Sequence, residues 1–138
     1  MGTRSTIALE YADGTVEQVY CHWDGYLEHN GQILAKHYMD PFKVRDLIAL
    51  GGFSSLDTTV EATKSTAYTQ RGEDLDINKF KDYEDYVANH QYEEYDYILR
   101  NDNGVAVWFV CDHDGAYVTL ESAIMDEQDR IAQEETEE

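Results

Sequence analysis

Basic residues are scarce in this chain. Its 138 residues hold 10 lysines and arginines against 29 aspartates and glutamates, a formal net charge of -19 at pH 7. So few cations cannot neutralise a phosphate backbone over a binding footprint, and direct binding to nucleic acid is excluded as an expectation. Long apolar runs are missing too. No stretch of about 18 apolar residues is present to cross a bilayer, and the opening MGTRSTIALEYADG has no apolar segment of signal-peptide length. The expectation is a soluble, cytoplasmic protein without a membrane partner. Proline occurs once, at Pro41, and Pro-rich linkers, low-complexity tracts and internal repeats are absent, which favours one compact unit. The two cysteines, Cys21 and Cys111, each lie in a strand-like apolar run and form no CxxC pair, so both are expected as reduced, buried packing residues. GxSxG, P-loop and GxGxxG motifs are also lacking. No enzyme activity and no cofactor are expected on that basis.

What is present is a core for one domain and an uneven distribution of charge. At 42% hydrophobic residues the chain supports a single core, expected over residues 1–133 with an acidic tail at 134–138. Residues 1–72 hold 9 acids and 6 bases, whereas residues 73–138 hold 20 acids and 4 bases. The acidity is regional, and it suits a carboxylate surface that occupies a basic nucleic-acid site on another protein.

The periodicities predict an α+β fold: a mostly antiparallel sheet, built from an N-terminal hairpin and a C-terminal three-strand meander, covered by helices. Residues 5–11 alternate, with Ile7, Leu9 and Tyr11 on one face and Thr6, Ala8 and Glu10 on the other. Asp13-Gly14 reads as a two-residue hairpin turn, and residues 15–23 alternate again with Val19, Cys21 and Trp23 together. Two helices follow. The first, over NGQILAKHY, has Ile33, Leu34, His37 and Tyr38 inward; the second has Asp40 as N-cap, Pro41 at its first position, Val44, Leu47 and Ile48 inward and Gly51 as its stop. Residues 53–73 read as loop with an edge strand near 67–70. A third helix is predicted over 78–89, capped by Asn78, with Phe80, Tyr83 and Val87 inward. The meander turns at Asn103-Gly104 and Asp114-Gly115, and its middle strand, apolar on both faces from Val105 to Cys111, is expected at the centre of the sheet. A thinly striped helix (Leu120, Ile124, Ile131) closes the chain over 121–133.

Two strand ends carry chemistry. YCHWDGY (residues 20–26) offers His22 and Asp24, and CDHDG (111–115) offers Asp112, His113 and Asp114. Such ends meeting in space could form an acid/base pair or a divalent-metal site. The plainer reading is turn chemistry, because Asp or Asn precedes Gly at positions 13, 24, 103 and 114; no metal is expected. Arg71 in YTQRGED is an anion clamp or a surface ion pair with Glu73 or Asp74. The most distinctive segment is DYEDYVANHQYEEYDY (82–97), six carboxylates interleaved with five tyrosines. On a helix such carboxylates sit about 5–6 Å apart, near the phosphate spacing of a nucleic-acid strand. Asp82, Glu84, Asp85, Tyr86, Glu93, Glu94 and Asp96 are the candidate partner-binding residues, with tyrosines supplying rigid contact area.

The order RSTIAL, DGTVEQVYCHWDGYLEHNGQILAKHY, KVRDLIALGGFSSL and YTQRGED resembles a family of small phage and prophage proteins without assigned function. Its markers here are Arg4-Ser5, the block from His22 to Tyr26, Gly31, His37-Tyr38, Leu50-Gly51 and the Arg71-Gly72-Glu73 loop. The resemblance implies an accessory protein acting in a bacterial host cell, a class in which acidic members often mimic DNA. The leading expectation is therefore a non-enzymatic inhibitor of a host nucleic-acid-binding complex, either monomer or homodimer. The alternatives are a nucleotide- or metal-binding protein with a pocket of His22, Asp24, Tyr26, Arg71 and His113, or an assembly partner acting through the C-terminal helix.

Overall fold

The structure, a computed structural model, describes residues 3–90, 92–111 and 115–136. A hairpin begins the fold: β1 (Ser5–Glu10) pairs antiparallel with β2 (Val16–Cys21), Ile7 opposite Val19. The connection takes three residues rather than two. Tyr11 N–H donates to Thr15 O, Gly14 N–H donates to Tyr11 O, and Gly14 adopts the left-handed φ of +91° that closes a bulged turn. After a π-helical turn at Leu27–Gly31 come α1 (Gln32–His37) and α2 (Pro41–Ile48). In α2 the sequence signals are met one by one. The Asp40 carboxylate accepts from Phe42 N–H at 2.9 Å, Pro41 opens the helix, Val44, Leu47 and Ile48 are buried, and Gly51 ends the segment at φ +73°.

Residues 53–73 hold a short α3 (Val60–Lys64) and a 3-10 turn at Tyr68–Arg71 rather than an edge strand. An isolated bridge joins Phe53 to Cys21 at the sheet edge, and a second joins Phe53 to Ala67 within the segment. The expected 78–89 helix is divided. β3 (Asn78–Phe80) pairs with β2, and α4 (Tyr83–Asn89) starts only after Asp82, whose carboxylate accepts from Asp85 N–H at 2.8 Å while that of Asp85 accepts from Lys81 N–H at 3.0 Å. This reciprocal cap outcompetes Asn78, and it releases 78–80 to pair with the exposed flank of β2. β4 (Tyr95–Asp102), β5 (Val105–Cys111) and β6 (Tyr117–Thr119) form the meander, and α5 (Leu120–Thr136) runs three residues past its expected end. The hairpin at Asn103-Gly104, with φ of +52° and +86°, is the type I′ turn that Asn-Gly specifies.

The strand order is β3-β2-β1-β4-β5-β6. β1 and β4 are therefore central, not β5, and they pair in parallel with Ile7 opposite Tyr97. The cause is the crossover from β3 through α4, which places β4 beside β1 and covers the face of β1 that its alternation marks as wet. Ala8, Val16, Tyr86 and Ile98 form a small core there, with Phe80, Tyr83 and Val87 against it. The larger core lies on the other face, where Ile7, Leu9, Val19, Tyr97, Leu99 and Trp108 meet Leu34, Tyr38, Val44, Leu47 and Leu120 from the helices. His37, expected on the inner face of α1, is exposed, and Tyr38 takes the buried position.

Candidate protein-binding face

The HWDGY block is mostly architectural, though by other contacts than the alternation suggests. β2 ends at Cys21, which is buried; burial pushes its thiol up to about 11, so it stays protonated. From there the chain follows the 53–54 segment: His22 N–H donates to Phe53 O and Trp23 N–H to Ser54 O. That departure turns Trp23 outward to 43% exposure, so it is not a core anchor. Its indole instead packs edge-on against His22 at 4.6 Å, and His22 Nδ1 lies 2.8 Å from the Tyr20 hydroxyl. Asp24 takes a left-handed φ of +57°, and Gly25 N–H donates to Thr3 O at 2.8 Å. A Cβ on Gly25 would stand 2.7 Å from Ser5 Cβ and 2.8 Å from Thr3 O. Gly25→Ala is accordingly expected to lower stability by about 2 kcal/mol through overpacking, seen as a fall in the urea midpoint; an unchanged midpoint would show that this approach is not tight.

Nothing in the geometry gathers the alternative pocket. Arg71 is ion-paired with Glu73 and stacked on Tyr68 at 4.5 Å, Tyr26 sits half-buried beside His29, and no hydrogen bond, ion pair or ring contact among the described residues joins either to His22 or Asp24. The recess beside the Arg71 loop is lined by Gly52, Tyr68, Thr69 and residues 72–76, without His22, Asp24 or Tyr26. His113, with Asp112 and Asp114, lies outside the described residues. Among the described residues no three His, Cys, Asp or Glu side chains converge as metal ligands would.

The acidic segment divides between two places. Asp82, Glu84 and Asp85 stay on α4, where Asp82 and Asp85 are engaged in the helix cap and Asp85 also accepts from Asn89 Nδ2 at 2.7 Å. Those contacts hold the Asp85 carboxyl below its usual range. Tyr86 and Asp96, expected at the surface, are buried at 0% and 1% exposure, so neither offers contact area to a partner. Glu93 and Glu94 lead into β4, and there the fold gathers acids that the sequence keeps apart. A recess of about 380 Å³ bounded by Tyr92, Glu93, Glu94, Tyr95 and Asp96 adjoins one of about 320 Å³ bounded by Leu27, Glu94, Tyr95, Asp126, Glu127 and Arg130. Glu28, from the π-helical turn, meets Glu127 of α5. Burial, then a hydrogen bond to Glu127, pushes the Glu28 carboxyl up, while the Arg130 ion pair holds Glu127 down. Burial and then the charges of Glu127, Glu28 and Glu94 raise the Tyr95 hydroxyl, against an opposing pull from Arg130. Tyr92 is 52% exposed at the rim. The result is one acidic, tyrosine-bearing depression built from residues 28, 92–96 and 126–130.

A buried hydrogen-bonded chain fixes this depression from behind. Thr6 Oγ1 donates to Asp96 Oδ1 at 2.6 Å, Gln18 Nε2 donates to Thr6 Oγ1 at 2.9 Å, and Gln18 Nε2 lies 3.3 Å from His90 Nδ1. His90 Nε2 is 2.7 Å from the Tyr117 hydroxyl, which donates to Tyr86 at 3.1 Å. Asp96 also accepts from Glu93 N–H at 3.1 Å, and Tyr92 packs at a tilt against His90 with centroids 3.9 Å apart. His90, isolated in the sequence, is thus the support for Tyr92. The signal that could have found it is Gln18, a polar residue on the covered face of a central hairpin, since a buried amide needs partners.

Comparison with protein-family models, with curated proteins and with solved structures returned no match to this chain.

Proposed function

We propose that the protein docks its acidic depression on a basic, nucleic-acid-binding surface of another protein and thereby keeps nucleic acid off that surface, without a chemical step. The observation that carries this reading is the gathering of Glu93, Glu94, Asp126 and Glu127 along two adjoining recesses that also hold Tyr92 and Tyr95, with Glu28 hydrogen-bonded to Glu127. Carboxylates at this density steer a cationic partner and set register, while the tyrosines contribute desolvated contact area. The resemblance to phage accessory proteins points to a bacterial host complex as the partner.

Capture from bacterial lysate tests the reading. The intact chain is compared with a variant carrying Glu28→Lys, Glu94→Lys and Asp126→Lys, and with a control carrying Glu61→Lys, Asp74→Lys and Asp76→Lys. All six positions are exposed, and both variants change net charge equally. The intact protein and the control are expected to retain the same nucleic-acid-binding complex, released by moderate salt, and the first variant to lose it. Equal retention by all three proteins would contradict the reading.

A further inference from the structure

A second surface lies on the other flank of α5. α1, α2 and α5 leave an apolar trough over β5, made of a recess of about 540 Å³ between α1 and α5 and one of about 300 Å³ beside α2, which meet at Ala106. Met39, Phe42 and Met125 rim it at 48%, 67% and 57% exposure, and Phe42 is the most exposed large hydrophobic side chain among the described residues. Trp108 forms part of the floor. On its α1–α2 side the charge differs from that of the C-terminal half, to which the α5 side belongs. Residues 32–48 carry Lys36, Lys43 and Arg45 against Asp40 and Asp46, while residues 73–138 carry 20 acids and 4 bases.

We propose that this trough is a self-association surface and that its occupant is a second copy of the chain. Two features fit a two-fold contact. A protruding aromatic, Phe42, stands beside a recess larger than a phenyl ring, so each copy can insert its Phe42 between α1 and α5 of the other, as an isologous interface requires. Lys36 on the α1 wall and Glu121 on the α5 wall carry opposite charge across the same recess, so a two-fold pairs Lys36 of each copy with Glu121 of its partner. Two chains of net charge -19 repel over most of their surfaces, and Lys36, Lys43 and Arg45 offset that repulsion on the α1–α2 side of the trough. Met39 and Met125 give an adaptable apolar lining.

Sedimentation velocity over about 5–300 µM, at low salt and at about 0.5 M NaCl, tests this. The full chain is expected to reach twice its monomer mass, and more readily at high salt, because screening removes the repulsion. That is the opposite salt dependence from the acidic depression. Phe42→Glu is expected to raise the dimer dissociation constant by at least about 30-fold while leaving unchanged the lysate capture and the melting temperature measured at concentrations where the parent is a monomer. Lys36→Glu and Glu121→Lys should each weaken the dimer, and the two together should restore it. A monomer at every concentration and salt, a dimer untouched by Phe42→Glu, or the absence of restoration in the charge swap would overturn the proposal. Loss of lysate capture with an intact dimer would instead count against the proposed function alone.

Discussion

Tyr97→Ala is expected to cost about 3–5 kcal/mol, a fifth or more of the about 5–15 kcal/mol that a domain of this size has. Tyr97 sits in a central strand, fully buried, opposite Ile7 of β1. Truncating it opens a cavity where the hairpin, the meander and the helices meet. Its hydroxyl donates to Gly25 O at 2.6 Å, which ties the HWDGY block to the core. Tyr97→Phe separates the two contributions: it keeps the ring and leaves a buried carbonyl without that donor, at about 1–2 kcal/mol. Urea unfolding of both variants gives the test. A Tyr97→Ala midpoint close to the parent's would mean that the β1–β4 junction is not the centre of the fold.

The second large effect is a pH dependence from Asp96. Burial pushes its carboxyl up to about 6 from an ordinary value of 3.8, outweighing the Thr6 and Glu93 hydrogen bonds that pull it down. Below 3.8 the group is protonated in folded and unfolded chains alike and its full contribution is present. As pH rises through the interval to about 6, the unfolded chain has released its proton and the folded chain has not, so stability falls. The loss is complete above the folded value, at about 3 kcal/mol. Asp96→Asn removes this titration, at the cost of one ill-matched contact with Glu93 N–H. The stability difference between variant and parent should therefore move by about 2 kcal/mol in the variant's favour between pH 4 and 7. Parallel curves would show that Asp96 is solvated. Glu28, also raised, remains in both proteins and cancels from the difference.

Local chemistry made much of this fold legible. The Asn103-Gly104 turn, the Asp40-Pro41 start of α2 and its Gly51 stop each depend on a few adjacent residues, and the structure contains all three. Pairings between distant segments were not legible in the same way. The parallel β1–β4 contact follows from where α4 crosses the sheet, so Thr6 and Ala8 looked solvent-facing and are buried. The division of 78–89 into a strand and a helix depended on two competing caps, Asn78 and Asp82, that sequence pattern alone ranks equally. Trp23 continued the alternation of β2 on paper, but the chain leaves the sheet after Cys21 to follow Phe53 and Ser54. For the candidate face, Glu93 and Glu94 were visible as acids among tyrosines. Their union with Glu28 and Glu127 needed the packing of α5 against the π-helical turn, which no local pattern encodes.

Docking of the acidic depression on a nucleic-acid site is tested by a competition on a captured, purified partner. Labelled duplex DNA is bound to that partner at low and at physiological salt, and the intact protein is titrated in against the Glu28, Glu94 and Asp126 reversal and the Glu61, Asp74 and Asp76 control. The intact protein and the control are expected to displace the duplex with the same, salt-weakened affinity. The reversal should lose about 100-fold or more in affinity, in keeping with several close charge pairs. Displacement by all three alike, or binding that leaves the duplex in place, would contradict such docking.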